Sequence, residues 1–210
     1  MNRAIVMAIS VLLALAVAAP IASGQEASQE QDLGELTAAW WDWAITDPSP
    51  LDGSYTGGRQ CKGEFVDGVF FLGGSTTLDP VERTCTVPAD TPILFPVINV
   101  VCSEAFNDPT PYTRCAKSSI NRALAGGTTF ATLEGEALQG QRISSGIFDW
   151  TIESDANIFG LEAGTYESAS DGLWVYLPEG LSEGEYVLEF GGEFPRVGFR
   201  QEITYTLIVK

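Results

Sequence analysis

Any chemistry in this chain has to proceed without histidine, because its 210 residues contain none. That removes Ser-His-Asp and Cys-His catalysis, a histidine general base, and histidine-ligated zinc, copper or iron. No G-x-x-x-x-G-K-[ST], G-x-G-x-x-G or G-x-S-x-G pattern occurs either. The four cysteines are Cys61, Cys85, Cys102 and Cys115. Their long spacings suit disulfides and not the close C-x-x-C pairs of a zinc site. Of the three possible connectivities, Cys61–Cys85 with Cys102–Cys115 is favoured because each pair joins segments adjacent in sequence, each bridge contributing ~3–3.5 kcal/mol by loop closure. Bridged sulfurs leave no thiolate nucleophile.

Carboxylates, Tyr, Arg and Lys remain. Glu64 with Asp67, and Glu153 with Asp155, are pairs that would serve a carboxylate-dependent polysaccharide hydrolase or lyase if they faced each other across about 5–9.5 Å. With 28 acidic residues such neighbours arise by chance, and a solvated acidic face is the plainer expectation. Asp47 and Asp52, in the turn Asp47-Pro-Ser-Pro-Leu-Asp52-Gly53, offer oxygens to calcium. Aspartate in Pro/Gly turns is equally ordinary turn chemistry. Trp40-Trp41-Asp42-Trp43 suggests a sugar-stacking platform, but consecutive helix positions point in different directions. Two of the rings are therefore expected to pack the helix onto a sheet, leaving one, assigned to Trp40, to line a ligand site.

The 28 acids against 11 basic residues set the net charge at −17. Such a surface repels nucleic acid and anionic lipid. The first residues read as an export signal: Arg3, an apolar run from Ala4 to Ala18, and a small-residue site at Ala22-Ser23-Gly24. The run is too short to span a bilayer. Cleavage after Gly24 removes one cation and no acid, which places a more negative mature chain outside the cell or in the periplasm. Residues 25–31 are then a polar leader, and 32–210 one domain.

A helix is expected from Asp32, whose spacing to Glu35 makes a capping box, with Leu33, Leu36, Trp40 and Trp43 on one face. Asp47-Pro48 and Pro50 stop it. A second helix has Thr110 as N-cap and Pro111 as its first residue. Ala116, Ile120, Ala123 and Leu124 form its apolar face, and Gly126-Gly127 its end. The rest reads as strands. Residues 148–152, 186–190 and 203–209 alternate apolar with polar, while Val69–Leu72 and 93–101 are continuous apolar runs of strands covered on both faces. Glycine pairs at 57–58, 73–74 and 191–192 read as breaks. The fold class is mainly β, a jelly-roll-like antiparallel β-sandwich with two short helices.

Several segments carry a resemblance. Trp40 to Trp43, Gly68-Val-Phe-Phe-Leu-Gly-Gly74, Arg83-Thr-Cys-Thr-Val-Pro-Ala89 with Phe95-Pro-Val-Ile-Asn99, and Asp171-Gly-Leu-Trp-Val-Tyr-Leu177 occur in that order. This resembles a family of uncharacterised secreted bacterial proteins with W-x-x-W, vwFLaG, R-x-C-x-vPag and dG-w-x-x-L motifs. Family members often carry His after the late Gly, where this chain has Gly184-Glu185-Tyr186. The resemblance implies a jelly-roll-like sandwich and no established activity. Its polar motif residues Arg83, Asn99 and Asp171 become candidate ligand-binding residues, weighed against a buried Arg83–acid pair and a turn role for Asp171. The function expected is a secreted, non-enzymatic module that binds a glycan or small ligand or serves the cell envelope. A carboxylate hydrolase and a structural subunit of a surface assembly are the alternatives.

The charge imbalance predicts a salt effect. Self-repulsion among the carboxylates is screened as the Debye length falls to about 3 Å at 1 M salt. The melting temperature should therefore rise from low to molar sodium chloride in the presence of a chelator. A flat response would mean evenly dispersed acids, and a jump with millimolar calcium alone would point to the Asp47–Asp52 turn.

Overall fold

The computed structural model describes residues 22–46, 49–52, 61, 63–66 and 68–210, with backbone alone for 22–32. Helices are α1 (Ala22–Ala44) and α2 (Tyr112–Leu124). Strands are β1 (Gly63–Val66), β2 (Val69–Leu72), β3 (Val81–Val87), β4 (Ile93–Ser103), β5 (Thr128–Leu133), β6 (Glu136–Ala137), β7 (Gln141–Ile152), β8 (Gly164–Leu177), β9 (Gly184–Phe194) and β10 (Phe199–Val209). One sheet has the order β1-β2-β4-β8-β7, the other β3-β10-β9-β5-β6. They pack as the expected β-sandwich. Six pairings are antiparallel, while β2–β4 and β3–β10 run parallel.

Strand β2 shows why three layers are needed. All four residues are buried, but Phe70 and Leu72 face the other sheet while Val69 and Phe71 face the opposite way. Between the sheets, Phe95 and Val175 meet Phe190, Tyr205 and Leu207. On the outer face, α1 supplies the cover. Leu33, Trp40, Trp41, Trp43 and Ala44 pack over Phe71, Leu94, Ile143, Trp150, Ile152 and Trp174. All five tryptophans thus lie in one cluster.

The sandwich is longer on one side, and α2 fills the difference. In β4 a register shift between Pro96 and Ile98 changes the parity of the inward positions. Ile93, Phe95 and Val97 face the second sheet, and Ile98, Val100 and Cys102 then face α2. There they meet Tyr112, Ala116, Ile120 and Ala123. The Cys102–Cys115 disulfide ties β4 to α2, and Cys61–Cys85 ties the segment before β1 to β3 in the other sheet. Both pairings are those expected from sequence. No helix of the described residues is long and apolar enough to cross a membrane.

Four local expectations are corrected. The first helix is not short and does not start at Asp32. Its backbone is helical from Ala22, so residues 25–31 form helix and not a free leader, and the Asp32–Glu35 box is interior. Glu, Gln and Ala propagate a helix readily, and nothing between 22 and 32 breaks it. The second helix is capped by Pro111, not Thr110. Pro111 has an extended ψ of 138°, and its carbonyl accepts from Arg114 N and Cys115 N. Gly191-Gly192 is no break but the middle of β9, where a Cβ would collide with the Gln201 carbonyl of β10 or the Thr128 carbonyl of β5. The pair at 57–58 and the signal segment 1–21 lie outside the described residues.

The indole cluster should dominate stability. Trp40 is 1% exposed and donates Nε1–H to the Leu72 carbonyl at 3.0 Å. Trp40→Ala should cost ~3–5 kcal/mol, measured by urea denaturation. A loss below about 1 kcal/mol would show that α1 does not stabilise the sheet.

Candidate functional site

The site is opened by a strand that leaves its sheet early. β2 pairs with β4 only at Phe70–Ile93 and Phe71–Leu94. Beyond Leu72 the chain turns through Gly73-Gly74 towards the other sheet, and Arg83 holds it there. As an inward residue of β3, Arg83 donates Nη1–H to the Gly73 carbonyl at 2.8 Å, the Gly74 carbonyl at 2.9 Å and the Tyr205 hydroxyl at 2.7 Å. Its guanidinium also lies 5.5 Å from the centre of the Tyr205 ring. The Tyr205 hydroxyl donates in turn to the Gly73 carbonyl at 2.8 Å.

Gln201 of β10 takes part of the vacated place. Its Oε1 accepts from Ser75 N at 2.9 Å and its Nε2 donates to the Val97 carbonyl at 3.0 Å. A Cβ at 74 would lie 2.6 Å from the Gln201 amide oxygen and would push that side chain from its place. Further along β4 no strand of the described residues replaces β2. A hollow of about 280 Å³ opens beside Pro96, Ile98 and Asn99, with Trp40, Trp41, Phe159 and Phe199 among its walls. A second, of about 360 Å³, shares Ile98, Asn99 and Phe199 and reaches Arg122 and Val197.

The hollow has apolar walls and hydrogen-bond donors in want of acceptors. Asn99 Nδ2 and Trp41 Nε1 are buried without an acceptor among the described residues. So is Trp174 Nε1, on the residue paired in register with Pro96. Buried polar groups are nearly always satisfied, and a missing partner asks for an explanation. A ligand carrying acceptor oxygens would supply one.

The residues singled out from sequence separate into distinct places. Trp40 and Asn99 line the same hollow. All three rings of the Trp40–Trp43 cluster are buried, so they form no open stacking platform. Arg83 lies behind the hollow and shapes it. Among the described residues it meets carbonyls and a phenol, where an acid had been the structural expectation. Asp171 is not a turn residue but part of β8, paired with Arg142 of β7 in a separate groove. Asp47 lies outside the described residues. Asp52 sits in a turn, with its N–H donating to the Ser49 carbonyl at 3.1 Å. Cys102, Asp108 and Cys115 gather within 4.8 Å, but both sulfurs are in the disulfide and cannot ligate a metal.

The expected carboxylate pairs do other work. Glu64 accepts from Trp43 Nε1 at 2.9 Å, and Asp155 from Ala163 N at 2.6 Å. Asp67 lies outside the described residues. A different pair, Asp42 and Glu153, shares a hollow of about 680 Å³ at the end of α1. Desolvation raises the Asp42 carboxyl above its ordinary value against the opposing hydrogen bond from Thr151 N. Phe159, Phe199 and Gln201 carry no signal in the sequence, because distant chain segments bring them to the hollow and no local pattern marks them.

No family model matches the chain, and no curated protein matches it. Among solved structures, PbICP-C in complex with falcipain-2 is similar at a TM-score of 0.25 and 9% identity, over 68% of this chain and 97% of that one. A likeness so slight carries no argument.

The Arg83–Tyr205 pair sets an alkaline limit. Burial pushes the Tyr205 phenol above its ordinary value, with the Arg83 charge opposing. The folded state therefore keeps a proton that the unfolded chain loses near pH ~10, and stability falls as pH rises beyond that point. Tyr112 and Tyr176 shift in the same direction, so Tyr205→Phe should remove part of the alkaline loss. At pH 8 it should cost ~1–2 kcal/mol by depriving Arg83 of a partner. Urea midpoints from pH 8 to 11 check both. Parallel alkaline limbs for the two proteins would exclude Tyr205 as a contributor.

Proposed function

We propose that the protein is an exported, non-enzymatic binding module that takes a small oxygen-rich ligand, such as a glycan unit, in the hollow beside β4. The observation that carries this reading is the pair of buried N–H donors on Asn99 and Trp41, without acceptors among the described residues, on residues that line a cavity with aromatic walls. Donors alone select a ligand rich in acceptors, and the rings add apolar contact for its carbon skeleton. Export is supported by the leader-like first residues and by two disulfides, which persist in oxidising compartments. The motif resemblance to secreted bacterial proteins points the same way.

A glycan array followed by titration of the retained compound, read by tryptophan emission, tests the reading. Clustered indoles make emission sensitive to occupancy. Asn99→Ala should weaken binding about 3–10-fold, the worth of one hydrogen bond, with little change in melting temperature. Absence of any retained glycan or small polar ligand would sink the proposal.

The shared hollow of Asp42 and Glu153 supports a second reading, a carboxylate-dependent hydrolase with Asp42 as the proton donor. Release of reducing ends from extracellular polysaccharides by the native chain, lost in Asp42→Asn, would decide for it.

A further inference from the structure

The charge of this protein is unevenly placed. Against a net −17, helix α2 carries Arg114, Lys117 and Arg122, all exposed, and contains no acid. Arg142 of β7 faces the same helix across a groove of about 600 Å³, lined also by Thr113, Asn121, Ser144 and Asp171. Three of the chain's 11 basic residues, Arg114, Lys117 and Arg142, thus border one groove, while Arg122 lines the second hollow beside β4. Exposed Glu82, Glu185, Glu189 and Glu202 alternate along the outer face of the other sheet.

The groove is organised as well as positive. Asp171, 7% exposed in its side chain, receives Nε–H of Arg142, and Asn121 Oδ1 accepts from Arg142 Nη1 at 3.1 Å. These contacts orient the guanidinium and leave its Nη2 without a partner among the described residues, available to an oxyanion. Among the described residues Arg114 and Lys117 form no ion pair. The one carboxylate of the lining is thus matched to one cation, and two cations have no protein counter-charge.

We propose that the groove between α2 and β7 binds a linear acidic polysaccharide. Arg114 and Lys117 stand about one turn apart on the helix and Arg142 faces them across the groove, so three cations border one open concavity of about 600 Å³, which suits several linked acidic units better than a single small anion. Hydroxyl and amide groups of Thr113, Ser144 and Asn121 match sugar hydroxyls. Among the described residues no aromatic ring lines the groove, so bases have nothing there on which to stack. The strongly negative remainder repels an anionic bilayer while leaving a concave groove open to a single strand. Glu104, Asp108 and Glu167 surround Tyr112 at the helix's first turn and limit how far a polyanion extends that way.

The test is titration of the full chain with oligogalacturonate, dextran sulfate and neutral dextran at low and at 0.5 M sodium chloride. Binding of at least one acidic polymer, weakened by salt, with none of neutral dextran, is expected. If oligogalacturonate alone binds, the ligand carries carboxylates; if dextran sulfate alone binds, it carries sulfates. The double variant Arg114→Gln/Lys117→Gln should weaken binding at least ~10-fold, and both positions are exposed, so the fold is retained. Arg142→Lys keeps the charge and loses the planar fork, and should weaken binding too, with its melting temperature checked alongside. Asn99→Ala should leave this binding unchanged, which separates the groove from the hollow beside β4. Binding that survives the double variant, equal retention of neutral dextran, or no acidic polymer bound would overturn the assignment.

Discussion

The edge-to-face contact between Trp40 and its neighbours is the interaction on which the first sheet depends. Trp40 meets Trp41 at 5.3 Å, Trp43 at 5.9 Å and Trp174 at 5.3 Å between ring centres, each pair steeply inclined. Trp41 continues the chain of rings to Trp150 at 5.9 Å, and Trp150 donates Nε1–H back to the Trp41 carbonyl at 3.1 Å. These contacts lock a helix across strands that would otherwise present Phe71, Leu94 and Ile152 to water. A sheet with one face against a partner sheet and the other under a helix can afford strands that are apolar throughout.

The same covering explains both cavities. Because α1 and the second sheet already cover β2, that strand can end after Leu72 and leave most of one edge of β4 unpaired, while β8 pairs with the other edge throughout. Arg83 and Gln201 make the departure stable by supplying hydrogen bonds to carbonyls that a continuing ladder would have used. On the far side, the second sheet stops short of the long strands β4, β7 and β8, and α2 packs into the remainder. Its apolar stripe is narrow, so its polar face looks outward and Arg114 and Lys117 border a groove. One hollow is therefore built of rings and orphaned donors, the other of charge, and each follows from where a cover ends.

Electrostatics sort the surface in a way that total charge conceals. A net charge of −17 predicts repulsion of every polyanion at distances beyond the Debye length. Close to α2 the local field has the opposite sign. Salt therefore has two effects on an acidic ligand, easing its approach and weakening its seat.

Composition and periodicity by themselves determined the class of fold and the absence of histidine chemistry, and sequence adjacency favoured one of three cysteine pairings, which the structure then decided. Alternation at 203–209, the uninterrupted run at 93–101 and the stripe of Ala116, Ile120 and Ala123 are local consequences of which faces are buried, and each is written in neighbouring residues. Asn99 and Trp40 could be marked as candidates in the same way, through short motifs. Only the tertiary structure decided that these two share a hollow, that Arg83 lies behind it, and that Asp171 belongs to another groove beside Arg142. Those facts depend on strand order, on the register shift at Pro96–Ile98 and on where β2 departs. Each is settled by hydrogen bonds and packing between segments as much as 132 residues apart, as in the bond from Tyr205 to Gly73, and no local pattern records such contacts. Glycines 191 and 192 show the difference in miniature: read locally they end a strand, while in the fold they are what lets three strands approach.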